Sequence, residues 1–101
     1  MMKNFLDQAR KMQSEVLKVQ EELKNTVFEG AAGGGAVLVK VSGDMVVKEV
    51  KINPEILKPE EAEMVADLVT AALNAALGQV KAETSRKMGF IAGGLNLPGL
   101  I

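Results

Sequence analysis

The sequence predicts an α+β fold in which two long helices flank a three-stranded antiparallel meander. Three observations support this prediction: a heptad pattern over residues 2–24, β-branched alternation over residues 36–52, and a second helical pattern after Pro59. Because the strands are consecutive and lie between the helices, the order is typical of an α+β fold rather than of an alternating α/β fold. At 101 residues the chain is expected to form one domain, residues 1–101.

The first predicted helix, residues 2–24, carries a narrow apolar seam. Its members alternate at spacings of four and three residues, and this period of about 3.5 residues is typical of helices that pair. The N-terminal seam consists of Phe5, Ala9, Met12, Val16, Val19 and Leu23. A seam this narrow suits a second helix, and burying each side chain contributes about 1.5–3 kcal/mol. We therefore expect the seam to be the interface of a homodimer.

Three antiparallel strands are expected between the helices, at residues 26–29, 36–41 and 46–52. The glycine-rich segment 30–35 is expected to be a flexible connection, because glycine leaves the backbone free. Ser42-Gly43-Asp44 separates two β-branched runs and predicts a hairpin turn. Consecutive strands joined by short connections form a meander.

The second predicted helix covers residues 59–88. Pro59 occupies the first helical position, where proline is tolerated, and acidic residues follow it in the first turn. The apolar stripe of this helix is wide enough to lie on a sheet. It comprises Val65, Leu68, Val69, Ala72, Leu73, Ala76, Leu77 and Val80. Gly89 is expected to follow the helix end, and residues 89–101 are expected to form a Gly-rich apolar tail that does not continue the helix.

Composition argues against catalysis. The chain contains no Cys, His or Tyr, which removes disulfides, thiolate catalysis and sulfur-ligated metals and fits a reducing compartment. Glu63 and Asp67 share a helix face, but two carboxylates are too few for a dedicated cation site, and acids at a helix start complement its dipole. Segment 30–35 precedes a strand and lacks the Gly-Lys-Ser/Thr of a phosphate-binding loop. We expect no enzyme, no metal and no cofactor.

The apolar runs of the chain are short. No basic-then-apolar leader opens the sequence, and the longest uncharged runs, residues 68–80 and 88–101, do not reach the length that crosses a bilayer. We expect a cytoplasmic protein without a membrane partner.

Basic side chains on the helices form a candidate surface for nucleic acid. They are Lys3, Arg10, Lys11, Lys18, Arg86 and Lys87. Members on the first helix recur seven residues apart, so they follow one face beside the seam, and phosphate contact needs only positive charge within reach. A solvated helix face, with bases that complement the helix dipole, explains the same pattern. The net charge of −1 does not decide between the two, because local fields act over about 8–10 Å.

Several short sequence stretches occur in a fixed order along the chain. The ordered set is more specific for a protein family than any one stretch. The stretches are residues 8–13 and 19–23, 30–35 and 39–41, 50–54 and 59–61, 68–76, and 87–89 with 93–100. The Gly-Gly-Leu-x-Leu-Pro-Gly run at residues 93–99 is the most specific of them. The ordered set resembles the YbaB/EbfC family of bacterial nucleoid-associated proteins.

The resemblance implies a small homodimer with two projecting helices per chain that binds double-stranded DNA in the nucleoid, organising it or modulating transcription. Arg10, Lys11 and Lys87 fall within matched stretches, whereas Lys3 and Lys18 are candidates on charge alone. Lys58 departs from the family pattern, since an Asp often caps the second helix there and a Lys does not accept amide protons. The alternative function is a non-catalytic scaffold whose seam and tail dock a partner protein.

Overall fold

The computed structural model describes residues 2–94 and confirms the α+β architecture. Its elements are α1 (Met2–Lys24), β1 (Val27–Ala32), β2 (Val37–Ser42), β3 (Val47–Ile52) and α2 (Ala62–Gly94), with 3-10 turns at Pro54–Ile56 and Pro59–Glu61. The sheet order is β1-β2-β3 and both pairings are antiparallel, as the meander prediction requires. Within residues 2–94, no helix combines the length and the apolar character that a membrane span needs.

The core lies between α2 and the first two strands. Val37, Val39 and Val41 point to one face of β2, because alternate residues of a strand share a face, and all three are fully buried. Above them lie three small or β-branched residues of α2, Ala72, Ala76 and Val80. The wide apolar stripe predicted for this helix is thus confirmed as its sheet-facing side.

Close approach of α2 explains the glycine at the centre of β1. Gly30 pairs with Val39 inside the ladder. A Cβ at Gly30 would overlap the carbonyl oxygen of Ala72 and lie 2.6 Å from the amide nitrogen of Ala76. The prediction that residues 30–35 form a flexible connection is therefore wrong for its first half. The turn covers only residues 33–36. In it Gly33, Gly34 and Gly35 have φ angles of 65°, 67° and 94°, a region that glycine adopts without strain.

The ends of α2 also differ from the prediction. Lys58 forms no side-chain cap, as expected, and the chain passes through the 3-10 turn at Pro59 before the α-helix begins at Ala62. At the other end the helix continues through Gly89 to Gly94, so the predicted end at residue 88 is wrong. Packing overrides the low helix propensity of glycine here, since Ile91 is buried against α1. Of the predicted tail, residues 95–101 lie outside the described part of the chain.

The C-terminal half of the N-terminal seam packs inside the chain. Val19 and Leu23 of α1 form a buried cluster with Ile91 of α2, and Met12 and Val16 are partly buried beside it. The prediction that a second copy covers the whole seam does not hold for Val19 and Leu23, because α2 of the same chain already covers them. Phe5 and Ala9, toward the start of α1, remain exposed.

Gly30→Ala should destabilise the fold by about 1–3 kcal/mol, because its Cβ has no space between β1 and the backbone of α2. Gly78→Ala is the matched control: nothing lies within 4 Å of its Cβ on the exposed side of α2. There alanine should stabilise the helix by up to about 1 kcal/mol. Urea denaturation measures both variants, and equal stability of the two would contradict the packing described.

Candidate nucleic-acid interface

The cations near the start of α1 are exposed along a helix. Lys3, Arg10 and Lys11 are all exposed, and none of them forms an ion pair with another residue of the 2–94 range. Their amino and guanidinium groups therefore keep their full capacity to donate hydrogen bonds to an anion. The structure keeps these three residues together on one element, as the sequence predicted.

A second set of cations meets in a cleft between α1 and α2. Lys18 of α1 lines this cleft of about 250 Å³ together with Arg86 and Lys87 of α2. Three of the six predicted contacts, distant in sequence, are thus brought to one surface. Glu15 and Glu22 line the same cleft, so its positive charge is largely offset from within.

Ion pairs restrain the two α2 cations. The Lys87 ammonium donates a hydrogen bond to Glu22 Oε2 at 3.1 Å and so joins the two helices. Arg86 donates through Nε at 3.2 Å and Nη2 at 2.5 Å to the carboxylate of Glu83. Exposed pairs of this kind contribute little to stability, because water and salt screen them. Their larger effect is electrostatic, because each carboxylate competes with any anion that approaches its cation.

The sequence analysis did not predict these two ion pairs. The three-residue spacing of Glu83 and Arg86 on a helix was a visible signal, since side chains three apart are neighbours. The pairing of Glu22 with Lys87 joins residues 65 positions apart and has no local signal.

Ion pairing shifts the titration of the Glu83–Arg86 pair. The guanidinium of Arg86 lowers the pKa of Glu83, and the Glu83 carboxylate raises the pKa of Arg86. Elsewhere, at the β2–β3 turn, the hydroxyl of Ser42 donates to the carboxylate of Asp44 and lowers its pKa. Both carboxylates are therefore fully charged at neutral pH.

An apolar strip beside the core is left uncovered. Val47, Val50 and Ile52 pair with Val41, Val39 and Val37 of β2, so they lie on the sheet face that carries the core. Val47 and Val50 are nevertheless 47% and 45% exposed, because α2 lies over β1 and β2 and makes few contacts with β3. We call Val47, Val50 and Ile52 the β3 strip. The alternation in the sequence predicts Val46, Val50 and Ile52 on one face of this strand; the register shift after Lys40 places Val47, instead of Val46, opposite Val41. The sequence did not predict that α2 would leave this face uncovered.

The structure is that of a small α+β protein with two helices and a three-stranded sheet, and the helices carry exposed cations. A profile of the YbaB/EbfC DNA-binding family matches residues 1–95. The chain belongs to this family, as the ordered stretches in the sequence indicated.

Individual relatives share nearly the whole chain. A nucleoid-associated protein of Clostridium acetobutylicum is 43% identical over 99 residues, which are 98% of this chain and 88% of the relative. One from Pelotomaculum thermopropionicum is 42% identical over 99 residues, 98% of this chain and 94% of that protein. Among solved structures, an uncharacterised protein of Helicobacter pylori, HP0035, superposes with a TM-score of 0.66 at 26% identity and covers 88% of this chain and 89% of its own.

Arg86→Gln should raise the pKa of Glu83 toward its ordinary value, because it removes the cation that lowers it. The pKa of Asp44, which depends chiefly on Ser42, should not move. Carbon-detected NMR titration of the side-chain carboxyls measures both. Since the pKa of Glu83 is lowered, the pair stabilises the fold above the ordinary carboxyl pKa and loses this effect as the pH falls through the lowered value. An unchanged Glu83 titration in the variant would contradict the pairing.

Proposed function

We propose that this protein is a nucleoid-associated protein that binds double-stranded DNA as a homodimer, mainly through phosphate contacts. Its place of action is the cytoplasmic nucleoid, where it organises DNA or modulates transcription. The observation that carries the proposal is the row of exposed, unpaired cations on α1 in a chain of a DNA-binding family. Phosphate contact requires positive charge within reach and no base-specific geometry.

The two sets of cations make different contributions to the proposed DNA contact. Lys3, Arg10 and Lys11 form no ion pair with residues 2–94, so they meet phosphate without losing an internal contact. Arg86 and Lys87 are held by carboxylates, and a phosphate near them is repelled by Glu83 and Glu22. We therefore assign the primary contact to α1 and a supporting contact to the cleft.

Assembly into a dimer is assigned to the β3 strip. Its valines lie next to the fully buried valines of β2, so a second copy placed over β3 would extend a core that already exists. Removing apolar surface from water stabilises association by about 25 cal/mol per Å². The free end of the N-terminal seam, Phe5 and Ala9, is the competing interface between copies.

The alternative function, a protein-interaction scaffold that uses the seam and the tail, has less support. Val19 and Leu23 of the seam are occupied by α2 of the same chain. Residues 95–101 of the tail lie outside the described range. DNA is therefore the ligand that we propose.

Arg10→Glu combined with Lys11→Glu should weaken binding to duplex DNA more than about tenfold and equally for unrelated sequences, because phosphate contacts carry no sequence information. Fluorescence anisotropy with two labelled duplexes of different sequence measures this. The matched control is Lys51→Glu combined with Lys58→Glu, two exposed cations outside the helices. It makes the same change in net charge and should retain affinity within about threefold at physiological salt. Wild-type affinity in the α1 variant would reject the assigned surface.

Val50→Glu should convert a dimer into monomers, because it places a charge in the β3 strip. Analytical ultracentrifugation at micromolar concentration should give twice the 10.7 kDa chain mass for the wild type and the single mass for the variant. Val27→Glu changes a more exposed valine of β1 and should remain dimeric. If Phe5→Glu dissociates the dimer while Val50→Glu does not, the interface lies on the seam instead.

A further inference from the structure

The start of α1 carries an apolar surface that the described part of the chain leaves uncovered. Phe5 is 68% exposed, Ala9 is exposed, and Met12 is only partly buried. These residues belong to the N-terminal seam, whose other half, Val19 and Leu23, is buried against α2. A single exposed ring is common on protein surfaces. A continuous seam that is buried along one half and exposed along the other is an interface that the described residues cover only in part.

The two helices run in opposite directions along this interface. The Lys87 ammonium contacts Glu22 Oε2 at 3.1 Å, which sets these two residues at one level. Four residues later, Ile91 belongs to the buried cluster against which Met12 packs. Because Met12 lies at least about 10 Å along α1 from the other buried members of this cluster, at 1.5 Å per residue, its partner there is Ile91. Successive turns of α2 thus meet earlier turns of α1, and the chain that leaves α2 heads toward the start of α1.

The sequence that follows α2 has the composition and the length to cover the exposed half of the seam. Residues 95–101, which lie outside the described range, read Leu-Asn-Leu-Pro-Gly-Leu-Ile, with four large aliphatic side chains and no charged one. An extended chain of seven residues spans up to about 23 Å. Since Met12 and Phe5 are about 10 Å apart along α1, this segment is long enough to pass over both.

We propose that residues 95–101 lie along the start of α1 in the same chain and cover Phe5, Ala9 and Met12. The segment would continue the packing that Ile91 begins, so it extends an existing interface between the two helices. Attachment to the end of α2 keeps the segment at a high effective concentration beside the seam. A segment of another molecule lacks this advantage, which is why we assign the contact to one chain.

The cations of α1 stay free in this arrangement. Each residue advances about 100° around a helix with 3.6 residues per turn. Arg10 and Lys11 therefore lie more than about 90° from the line through the exposed seam residues, and an apolar segment on that line does not compete with a phosphate for them. Occupation of the seam is thus independent of DNA binding. It also removes from solvent the apolar surface that competes with the β3 strip as an interface between copies.

Disulfide trapping tests the contact directly, because the chain has no cysteine of its own. Ala9→Cys combined with Leu97→Cys places one thiol on the seam and one in the segment, and a disulfide requires Cβ atoms about 3.5–4.5 Å apart. Under mild oxidation the bond should form within one chain, giving a faster band on a non-reducing denaturing gel. The matched control is Asp7→Cys combined with Leu97→Cys. Because Asp7 is exposed on the opposite side of α1, its disulfide should form at least about tenfold more slowly.

Hydrogen exchange tests the same contact without a new covalent bond. Leu95→Ser combined with Leu97→Ser removes two apolar side chains from the segment. Amide exchange over residues 5–12 should then become at least about threefold faster, because protection depends on local burial, whereas exchange in β2 should not change. Leu57→Ser is the matched control, since it changes a leucine that is 56% exposed in the described part of the chain. It should leave exchange over residues 5–12 as in the wild type.

Four outcomes would overturn this contact. Equal rates of disulfide formation with cysteine at position 9 or position 7, or unchanged exchange in the double serine variant, would show that residues 95–101 do not lie on the seam. A disulfide that joins two chains, seen as a band of twice the mass, would show that the segment comes from a second copy. Exchange over residues 5–12 that slows as the protein concentration rises would assign the seam to contact between copies.

Discussion

Burial of the β2 valines beneath the alanines of α2 is the contact on which the rest of the molecule depends. Val37, Val39, Val41, Ala72 and Ala76 are fully buried, and β1 approaches the helix closely only because it has glycine at position 30. This contact fixes α2 over two of the three strands. Since α2 is one helix of 33 residues, about 50 Å at 1.5 Å per residue, placing its first half also places its second half. There Ile91 holds α1.

The two surfaces to which we assign functions follow from that arrangement. Because α2 covers β1 and β2, the β3 strip stays uncovered by residues 2–94, and we assign it to a second copy of the chain. Because the described part of α2 packs along the C-terminal half of α1, the residues near the start of α1 extend cations into solvent. The protein is 68 Å long, so its net charge of −1 does not describe the charge at either end. Because salt screens charges beyond about 8–10 Å, the attraction of an anion depends on the side chains close to it.

The periodicity of apolar residues predicted the elements that bury one face against another part of the same chain. The alternation in β2 and the wide stripe of α2 each report one buried face, and both were correct. Gly30 and Gly89 were interpreted as signals of flexibility and of a helix end, but packing decided both positions. A 3.5-residue seam predicts that a helix will cover α1 and does not specify which one; for Val19 and Leu23 it is α2 of the same chain. The cations were visible in the sequence, whereas the Glu22–Lys87 contact depends on tertiary structure.

The dependence of duplex affinity on salt tests the central claim most directly. If a dimer grips DNA with cations held on α1 and supported by the α1–α2 cleft, about four to eight phosphates are neutralised, and each contributes a slope of about −0.9 to the plot of log affinity against log salt. We expect a total slope between about −4 and −7, with the same value for unrelated duplexes. An affinity that changes little with salt would show that the helices do not hold the phosphate backbone.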